Sequence, residues 1–175
     1  DGGELDAMLL NRVHLEPGQA IYLAAGNLHA CLRGVGVEVM ANSDNVLRGG
    51  LTPKHVDVPE LLRVLDFEPV TEERLLPPVQ QDGFERDYVT PAEEFAVSVL
   101  SFDGEDLSRE VEVTSHHDGP QILLCSRGAA VVSTGSDSVK LEQGSAAWVS
   151  ADDGPIRVVA EVPTALFRST VGIPR

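Results

Sequence analysis

The chain has 175 residues, of which 42% are hydrophobic and 5% aromatic, and its formal net charge is −15 at pH 7. This length suffices for one domain with a substantial core or for two small ones. The negative charge argues against nucleic acid or an anionic membrane surface as a partner. No signal-peptide pattern opens the chain, and no apolar run approaches the roughly 20 residues of a membrane-spanning helix. We therefore expect a cytoplasmic protein.

The termini and the cysteines suggest how the chain is made and where it resides. It begins at Asp1 without a methionine, which suggests a fragment or a processed product. Cys31 and Cys125 are far apart and both lie in apolar runs. We expect both to be small buried thiols in a reducing compartment.

The first 57 residues predict short strands separated by glycine and proline turns. Turns are expected at Gly18 and at Gly26. Valines alternate with other residues from Val35 onward, which is the period-two pattern of a strand. We expect strands at residues 9–15, 20–25, 29–33 and 35–40, then an ordered loop over 41–56.

A helix is predicted over residues 58–67, because Pro59 suits a first helical turn and the leucines that follow form an apolar stripe. Residues 68–83 contain prolines and charges without periodicity, which is typical of a linker. From residue 84 onward short apolar runs alternate with turn residues, which predicts a complete small jelly roll or barrel. Strands are expected at residues 84–89, 95–102, 111–115, 122–125, 129–133, 138–141, 146–149, 156–160 and 164–170.

The spacing of Gly18, Ala24, Gly26 and His29 is the first specific functional signal. It resembles the second motif of the cupin superfamily, Gly-x5-Pro-x-Gly-x-x-His, with Ala24 in the place of the usual proline. A strand that restarts at His29 can direct an imidazole into a barrel, where it can bind a divalent transition metal. A lone histidine at this spacing is also compatible with a hydrogen-bonded structural role.

The residues around and after His29 favour the metal-ligand interpretation over the structural one. Residues 26–57 read GNLHACLRGVGVEVMANSDNVLRGGLTPKHVD. They closely resemble the signature of type I phosphomannose isomerases: Gly-Asn-x-His-Ala, Glu-x-Met, Ser-Asp-Asn-Val and Arg-x-Gly-Leu-Thr-Pro-Lys. The resemblance extends over about residues 9–70 and corresponds to the C-terminal portion of the family.

The resemblance implies a cupin fold and zinc-dependent aldose–ketose isomerisation of mannose 6-phosphate and fructose 6-phosphate. It makes His29 the last of four zinc ligands, and the other three belong to the N-terminal half of the family. Arg48 and Lys54 match basic active-site residues, Lys54 for binding phosphate or sugar oxygens and Arg48 for binding substrate close to the proton transfer. Glu38 is assigned either to proton transfer or to a buried pair with Arg33 or Arg48.

The residues themselves are compatible with an anionic substrate. Between residues 29 and 55, three cations (Arg33, Arg48, Lys54) oppose only two carboxylates, Glu38 and Asp44. Without the family match, Arg48 and Lys54 would be taken as solvated surface charges. We assign Asp44 and Asn45 to hydrogen bonds within the loop, and His14 and His55 to the surface.

The second half repeats the cupin pattern without its ligands. Pro155 occupies the position that corresponds to His29, and Gln121 stands where the first cupin motif has glutamate. His116 and His117 are adjacent, so they point to opposite faces of a strand and cannot both line one barrel. We expect a degenerate cupin that binds no metal and has a packing role.

We therefore predict a mostly β chain of cupin or jelly-roll architecture, with a partial catalytic cupin at residues 1–76 and a complete degenerate cupin at 77–175. Its partners would be a phosphosugar and the missing N-terminal half of the same enzyme, with no nucleic acid and no membrane. The isolated chain is expected to be inactive, because three zinc ligands are missing. The alternative is a non-catalytic, cupin-derived module that binds a phosphosugar or a partner chain.

Overall fold

In this computed structural model, the structure describes residues 8, 10–43, 45–71, 75–113, 119–135 and 137–172. It divides into two compact units. The first comprises Asp1–Gly36 with Asn42–Pro77, and the second comprises Val37–Ala41 with Pro78–Arg175. The prediction of a mostly β chain is confirmed, since the strands form two antiparallel sheets. Among the described residues, no helix is long and apolar enough to span a membrane.

The first unit contains the helix α1 (Val58–Val64), which confirms the predicted helix. Asp57 caps its N-terminus by accepting a hydrogen bond from the Glu60 amide, and Pro59 lies in the first turn. The helix is shorter than the predicted 58–67, because Leu65 adopts an extended conformation and serves as the C-cap.

The four strands predicted in the first 40 residues are wrong where the structure describes them. Residues 10–43 and 45–57 contain turns and bends but no strand. A strand is stabilised by ladder hydrogen bonds to a neighbour, and alternation of apolar residues does not provide that neighbour. Leu9 lies outside the described residues.

Within its described residues the second unit is a sandwich of ten strands, and the nine strands predicted there are confirmed with boundaries that differ by at most two residues. The strand predicted at residues 111–115 is tested only as far as Val113, because residues 114–118 lie outside the described part of the chain. The strands are β1 (Val79–Asp82), β2 (Glu85–Tyr88), β3 (Phe95–Phe102), β4 (Glu110–Val113), β5 (Gln121–Arg127), β6 (Ala129–Thr134), β7 (Asp137–Glu142), β8 (Ala146–Val149), β9 (Ile156–Ala160) and β10 (Thr164–Val171).

The strands form a six-stranded sheet in the order β1-β2-β3-β10-β5-β8 and a four-stranded sheet in the order β4-β9-β6-β7. The core lies between apolar faces of both sheets and includes Leu100, Phe102, Leu123, Val158 and Leu166. The strand β1 falls within the segment that we predicted as a linker. All four of its residues are exposed, so it lacks the half-buried alternation that identifies a strand in sequence.

A charged group is also buried inside this unit. Arg168 on β10 pairs with Glu85 on β2, and its Nε donates to the Ser98 hydroxyl at 3.1 Å. The side chains of Arg168 and Glu85 are only 3% and 10% exposed, respectively. The prediction for the cysteines is half right: Cys125 is buried in the core, but Cys31 is exposed.

Candidate active-site segment

Two glycine turns precede His29, as the motif predicts. Gly18 has φ 86°, and the turn around it is closed by a hydrogen bond from the Gln19 amide to the Glu16 carbonyl at 2.9 Å. Gly26 has φ 85° in a second turn. Both angles lie in the left-handed region that glycine adopts without steric cost, which explains the two glycines of the motif.

His29 is exposed, and its ring is held by the chain that precedes it. The contact between His29 Nδ1 and the Asn27 carbonyl oxygen is 3.0 Å. A carbonyl only accepts, so Nδ1 carries the proton and the lone pair of the neutral ring is on Nε2. This arrangement is typical of metal-binding histidines. This contact could not be predicted from the sequence, because it uses the backbone carbonyl of Asn27, which any residue at that position would provide.

The segment that carries Arg48 packs beside the segment that carries His29. A Cβ atom added to Gly49 would lie 2.6 Å from Leu28 Cδ1, so the backbone at position 49 directly contacts the Leu28 side chain. His29 directly follows Leu28 in the chain, and Arg48 directly precedes Gly49. Both candidate residues are therefore adjacent in sequence to this contact. Two residues further on, Leu51 has φ 53°, a left-handed conformation that is costly for a side chain of this kind. Such strain is concentrated at binding segments.

The backbone at Lys54 is fixed by its own neighbours. The Lys54 amide donates to the Thr52 hydroxyl at 3.2 Å across Pro53. The Thr-Pro dipeptide was a visible signal for a restrained backbone, whereas the hydroxyl bond was not predicted. Arg48 and Lys54 are both exposed. Among the residues that the structure describes, neither has a carboxylate within ion-pair distance, so both can bind an anion.

Glu38 belongs to the second unit, whereas the other three candidates belong to the first. It is exposed, so the interpretation of Glu38 as a buried, paired acid is wrong. Of the loop pair, Asp44 lies outside the described residues, and Asn45 Oδ1 accepts a hydrogen bond from the Ser43 hydroxyl at 2.8 Å. His14 and His55 are exposed, which confirms their assignment to the surface.

The described residues do not build a complete metal site. No group of three or more histidine, cysteine, aspartate or glutamate side chains converges within them. A zinc site needs at least three protein ligands, and this segment provides one suitable donor, His29 Nε2. The residues present therefore fit one corner of a zinc site and not the whole of it. His116 and His117, which we excluded as a pair of ligands, lie outside the described residues.

Comparison with known proteins gives a consistent result. No family model matches the chain. It is 42% identical to mannose-6-phosphate isomerase of Escherichia coli over 158 residues, which covers 90% of this chain and 39% of that protein. It is 41% identical to the Salmonella typhimurium enzyme of the same name over 156 residues, which covers 89% of this chain and 38% of that protein.

A solved structure is similar in fold as well as in sequence. The crystal structure of mannose 6-phosphate isomerase from Salmonella typhimurium, bound to substrate and to a zinc atom, aligns with a TM-score of 0.63 and 34% identity. The alignment covers 77% of this chain and 32% of that one. The chain thus spans about two fifths of the length of the curated relatives that it matches.

Proposed function

We propose that this chain belongs to the mannose-6-phosphate isomerase family, whose members it matches over about two fifths of their length, that it corresponds to the C-terminal portion of the family, and that it supplies part of the active site of a zinc-dependent aldose–ketose isomerase. The substrates are mannose 6-phosphate and fructose 6-phosphate, and the site is completed by the portion of the family that this chain does not span. The observation that carries the proposal is the packing of Gly49 on Leu28, which sets the segment of Arg48 beside the segment of His29.

His29 would provide one zinc ligand through Nε2. Its hydrogen bond to the Asn27 carbonyl holds the ring in the tautomer that leaves this nitrogen free to bind. Zinc, when bound, acts as a Lewis acid that polarises the oxygens of the sugar. The remaining ligands would come from the portion of the family that this chain does not span, since the described residues provide no group of three.

Lys54 would bind the phosphate or a sugar oxygen. A flexible ammonium binds phosphate as a point charge, and the restrained backbone at Lys54 fixes where that charge can reach. Arg48 would bind the substrate closer to the carbons that exchange the proton. Its planar guanidinium can donate two parallel hydrogen bonds to the charge that develops on the enediolate oxygens.

Glu38 is proposed to move the proton between the two sugar carbons. Its exposure supports this role over the structural alternative, because a general base must be reachable by substrate. The proton leaves one carbon of the sugar for the Glu38 carboxylate and returns to the adjacent carbon. The enediolate intermediate carries the negative charge on its oxygens meanwhile, and a proton passes from the substrate hydroxyl oxygen to the former carbonyl oxygen to complete the isomerisation.

The domain assignment remains part of the proposal: residues 1–76 belong to the catalytic cupin, and residues 77–175 form a degenerate cupin. The position of Pro155 supports the second assignment, because proline has no side-chain donor for a metal. We also propose a cytoplasmic location. Cys31 is a free, exposed thiol, which persists in a reducing compartment.

The test uses a joined chain, in which the N-terminal portion of the Escherichia coli relative precedes this sequence. We expect it to bind zinc and to interconvert the two phosphosugars. His29→Ala should abolish zinc binding, and Lys54→Ala should raise KM for the phosphosugar more than it lowers kcat. Lys140→Ala is the matched control, because Lys140 is an exposed lysine of the second unit, and it should change neither.

A joined chain that folds and binds zinc without isomerase activity would overturn the proposed reaction. Binding of phosphosugar by the chain without any need for zinc would instead favour the non-catalytic module. Loss of zinc in Lys140→Ala, or its retention in His29→Ala, would contradict the assigned ligand.

A further inference from the structure

The two outer faces of the sandwich in the second unit have different chemistry. On the four-stranded sheet, the outer face carries charged residues that pair with one another. Arg157 lies 3.7 Å from Glu110 and 3.6 Å from Glu112, and Lys140 lies 2.7 Å from Glu142. Such pairs stabilise little and are typical of a face in contact with water.

The outer face of the six-stranded sheet is apolar. The strand registers place six residues in one row across the whole sheet, and Ser169 is its only member that is neither aliphatic nor aromatic. Directly opposed residues of antiparallel strands point to the same face. In sheet order the row is Val79, Tyr88, Val97, Ser169, Ile122 and Trp148.

This row is on the face opposite the core. Ile122 precedes the fully buried Leu123, and successive residues of a strand point to opposite faces. The adjacent row is Gln81, Arg86, Val99, Phe167, Leu124 and Ala146, in which Arg86 is the one charged residue. The outer face of this sheet is therefore largely apolar, whereas its core face also holds the buried pair of Arg168 and Glu85.

The row is open to solvent at its two ends, whereas Tyr88 is only 7% exposed and Val97 and Ser169 are half-buried. Trp148 is the only tryptophan of the chain and is 66% exposed, and Ile122 beside it is 44% exposed. At the opposite edge of the sheet, Val79 is 50% exposed. An antiparallel sheet commonly presents polar side chains on the face that contacts water, so large exposed apolar side chains on such a face indicate a surface that binds a partner. An exposed tryptophan within an apolar patch is typical of the centre of an interface.

We propose that this face, defined by Val79, Ile122 and Trp148, is an interface covered by the N-terminal portion of the isomerase. The inference rests on the proposed function, because it takes its occupant from the family. The relatives extend well beyond the region that this chain matches, since the chain covers 39% of the Escherichia coli protein. A permanent partner within the same polypeptide also fits a nearly uncharged face, because obligate interfaces are more apolar than transient ones.

Cysteine labelling tests the interface. Ile122→Cys is compared with Val131→Cys, and both are placed in a Cys31→Ser background, in which the buried Cys125 is the only other thiol of this chain. Labelling is measured on the peptide that carries each new cysteine. Val131 is a matched control: it is 42% exposed and lies on the charged outer face of the four-stranded sheet. Each variant is labelled with a maleimide, both in the chain alone and in the joined chain.

In the chain alone, both cysteines should react at similar rates. In the joined chain, Ile122→Cys should react at least about tenfold more slowly, because labelling then needs the covered face to open, while Val131→Cys should keep its rate. Equal rates for Ile122→Cys in both chains would overturn the interface. Slowing in the chain alone as its concentration rises would overturn the assigned occupant, because a second copy then covers the face.

Isomerase activity of the joined chain, measured before labelling, separates the two proposals. An active joined chain with a fully reactive Ile122→Cys leaves the proposed function intact and overturns the interface. Protection of Ile122→Cys in a joined chain without activity supports the interface and overturns the proposed function.

Discussion

The amide of Asp66 donates a hydrogen bond of 3.0 Å to the carbonyl of Gly26. This bond ties the residues just after α1 to the turn that precedes His29. The backbones approach closely at this point, because a Cβ atom added to Gly26 would lie 3.0 Å from the Val64 carbonyl oxygen. The helix therefore helps to position the turn, and through it the candidate zinc ligand.

Substitution Gly26→Ala should destabilise this arrangement. Its φ of 85° is left-handed, which costs a residue with a side chain about 1–2 kcal/mol, and the new methyl group would press on the Val64 carbonyl. The expected result is faster hydrogen exchange at the Asp66 and Leu65 amides. Gly36→Ala is the control, because its Cβ would meet nothing within 4 Å. Equal protection in Gly26→Ala and the unchanged chain would contradict the account of this turn.

The ion pair on α1 predicts a pH dependence. Arg63 donates to both carboxylate oxygens of Glu60, at 2.8 and 2.6 Å. This hydrogen bonding lowers the pKa of Glu60 below its ordinary value, and the charge of Arg63 adds to the effect. Because the pKa is lower in the folded state, the contribution of the pair is present above the unfolded pKa of Glu60. It is lost as pH falls through the folded pKa.

A carbon NMR titration of the Glu60 carboxyl measures this effect. Arg63→Gln should return the pKa of Glu60 towards its ordinary value, and added salt should do so partly in the unchanged chain. Arg63→Lys, which keeps the charge but not the paired geometry, should give an intermediate result. An identical titration in Arg63→Gln would show that the pair is not formed in solution.

Removal of the buried carboxylate should strongly destabilise the second unit. Glu85→Ala leaves the guanidinium of Arg168 buried without its charged partner, which typically costs about 3–5 kcal/mol. Urea unfolding of the second unit measures the loss. The control is Glu112→Ala, which removes one exposed partner of Arg157 and should cost less than about 1 kcal/mol. Similar midpoints for the two variants would mean that the Arg168 pair contributes little.

The two thiols should differ in reactivity. Burial raises the pKa of the Cys125 thiol, and the thiolate is the reactive form. Cys31 is exposed. In the native chain, a thiol reagent should therefore modify about one cysteine rapidly and the second only after unfolding. Rapid reaction of both cysteines in native buffer would contradict the packing of Cys125 in the core.

The strands of the second unit could be predicted because their own residues carry the pattern. Buried and less buried residues alternate along the whole of β10 and along β5 as far as Ser126, so local periodicity and tertiary packing agree. The edge strand β1 could not be predicted, because none of its residues is buried and its pairing depends on β2 alone. The buried pair of Arg168 and Glu85 was equally invisible, since the two residues are 83 positions apart.

In the first unit, the turns were predicted correctly and the strands were not. The turns at Gly18 and Gly26 were predictable because positive φ selects glycine locally. The strand predicted at residues 35–40, after both turns, rested on alternation at Val35 and Val37, but both side chains are exposed and no strand forms there among the described residues. The roles of His29, Arg48 and Lys54 came from the family resemblance. The contact of His29 with Asn27 and that of Lys54 with Thr52 depend on backbone geometry that sequence spacing does not encode.

Zinc analysis combined with intact mass tests the central claim most directly, namely that this chain supplies only part of a zinc-dependent active site. We expect the isolated chain, of 18.7 kDa, to contain no stoichiometric zinc, because no group of three or more potential ligands converges among the described residues and zinc requires at least three from protein. The joined chain should contain about one zinc per molecule and lose it in His29→Ala. Stoichiometric zinc in the isolated chain, retained after dialysis, would contradict the account and indicate a self-contained metal site.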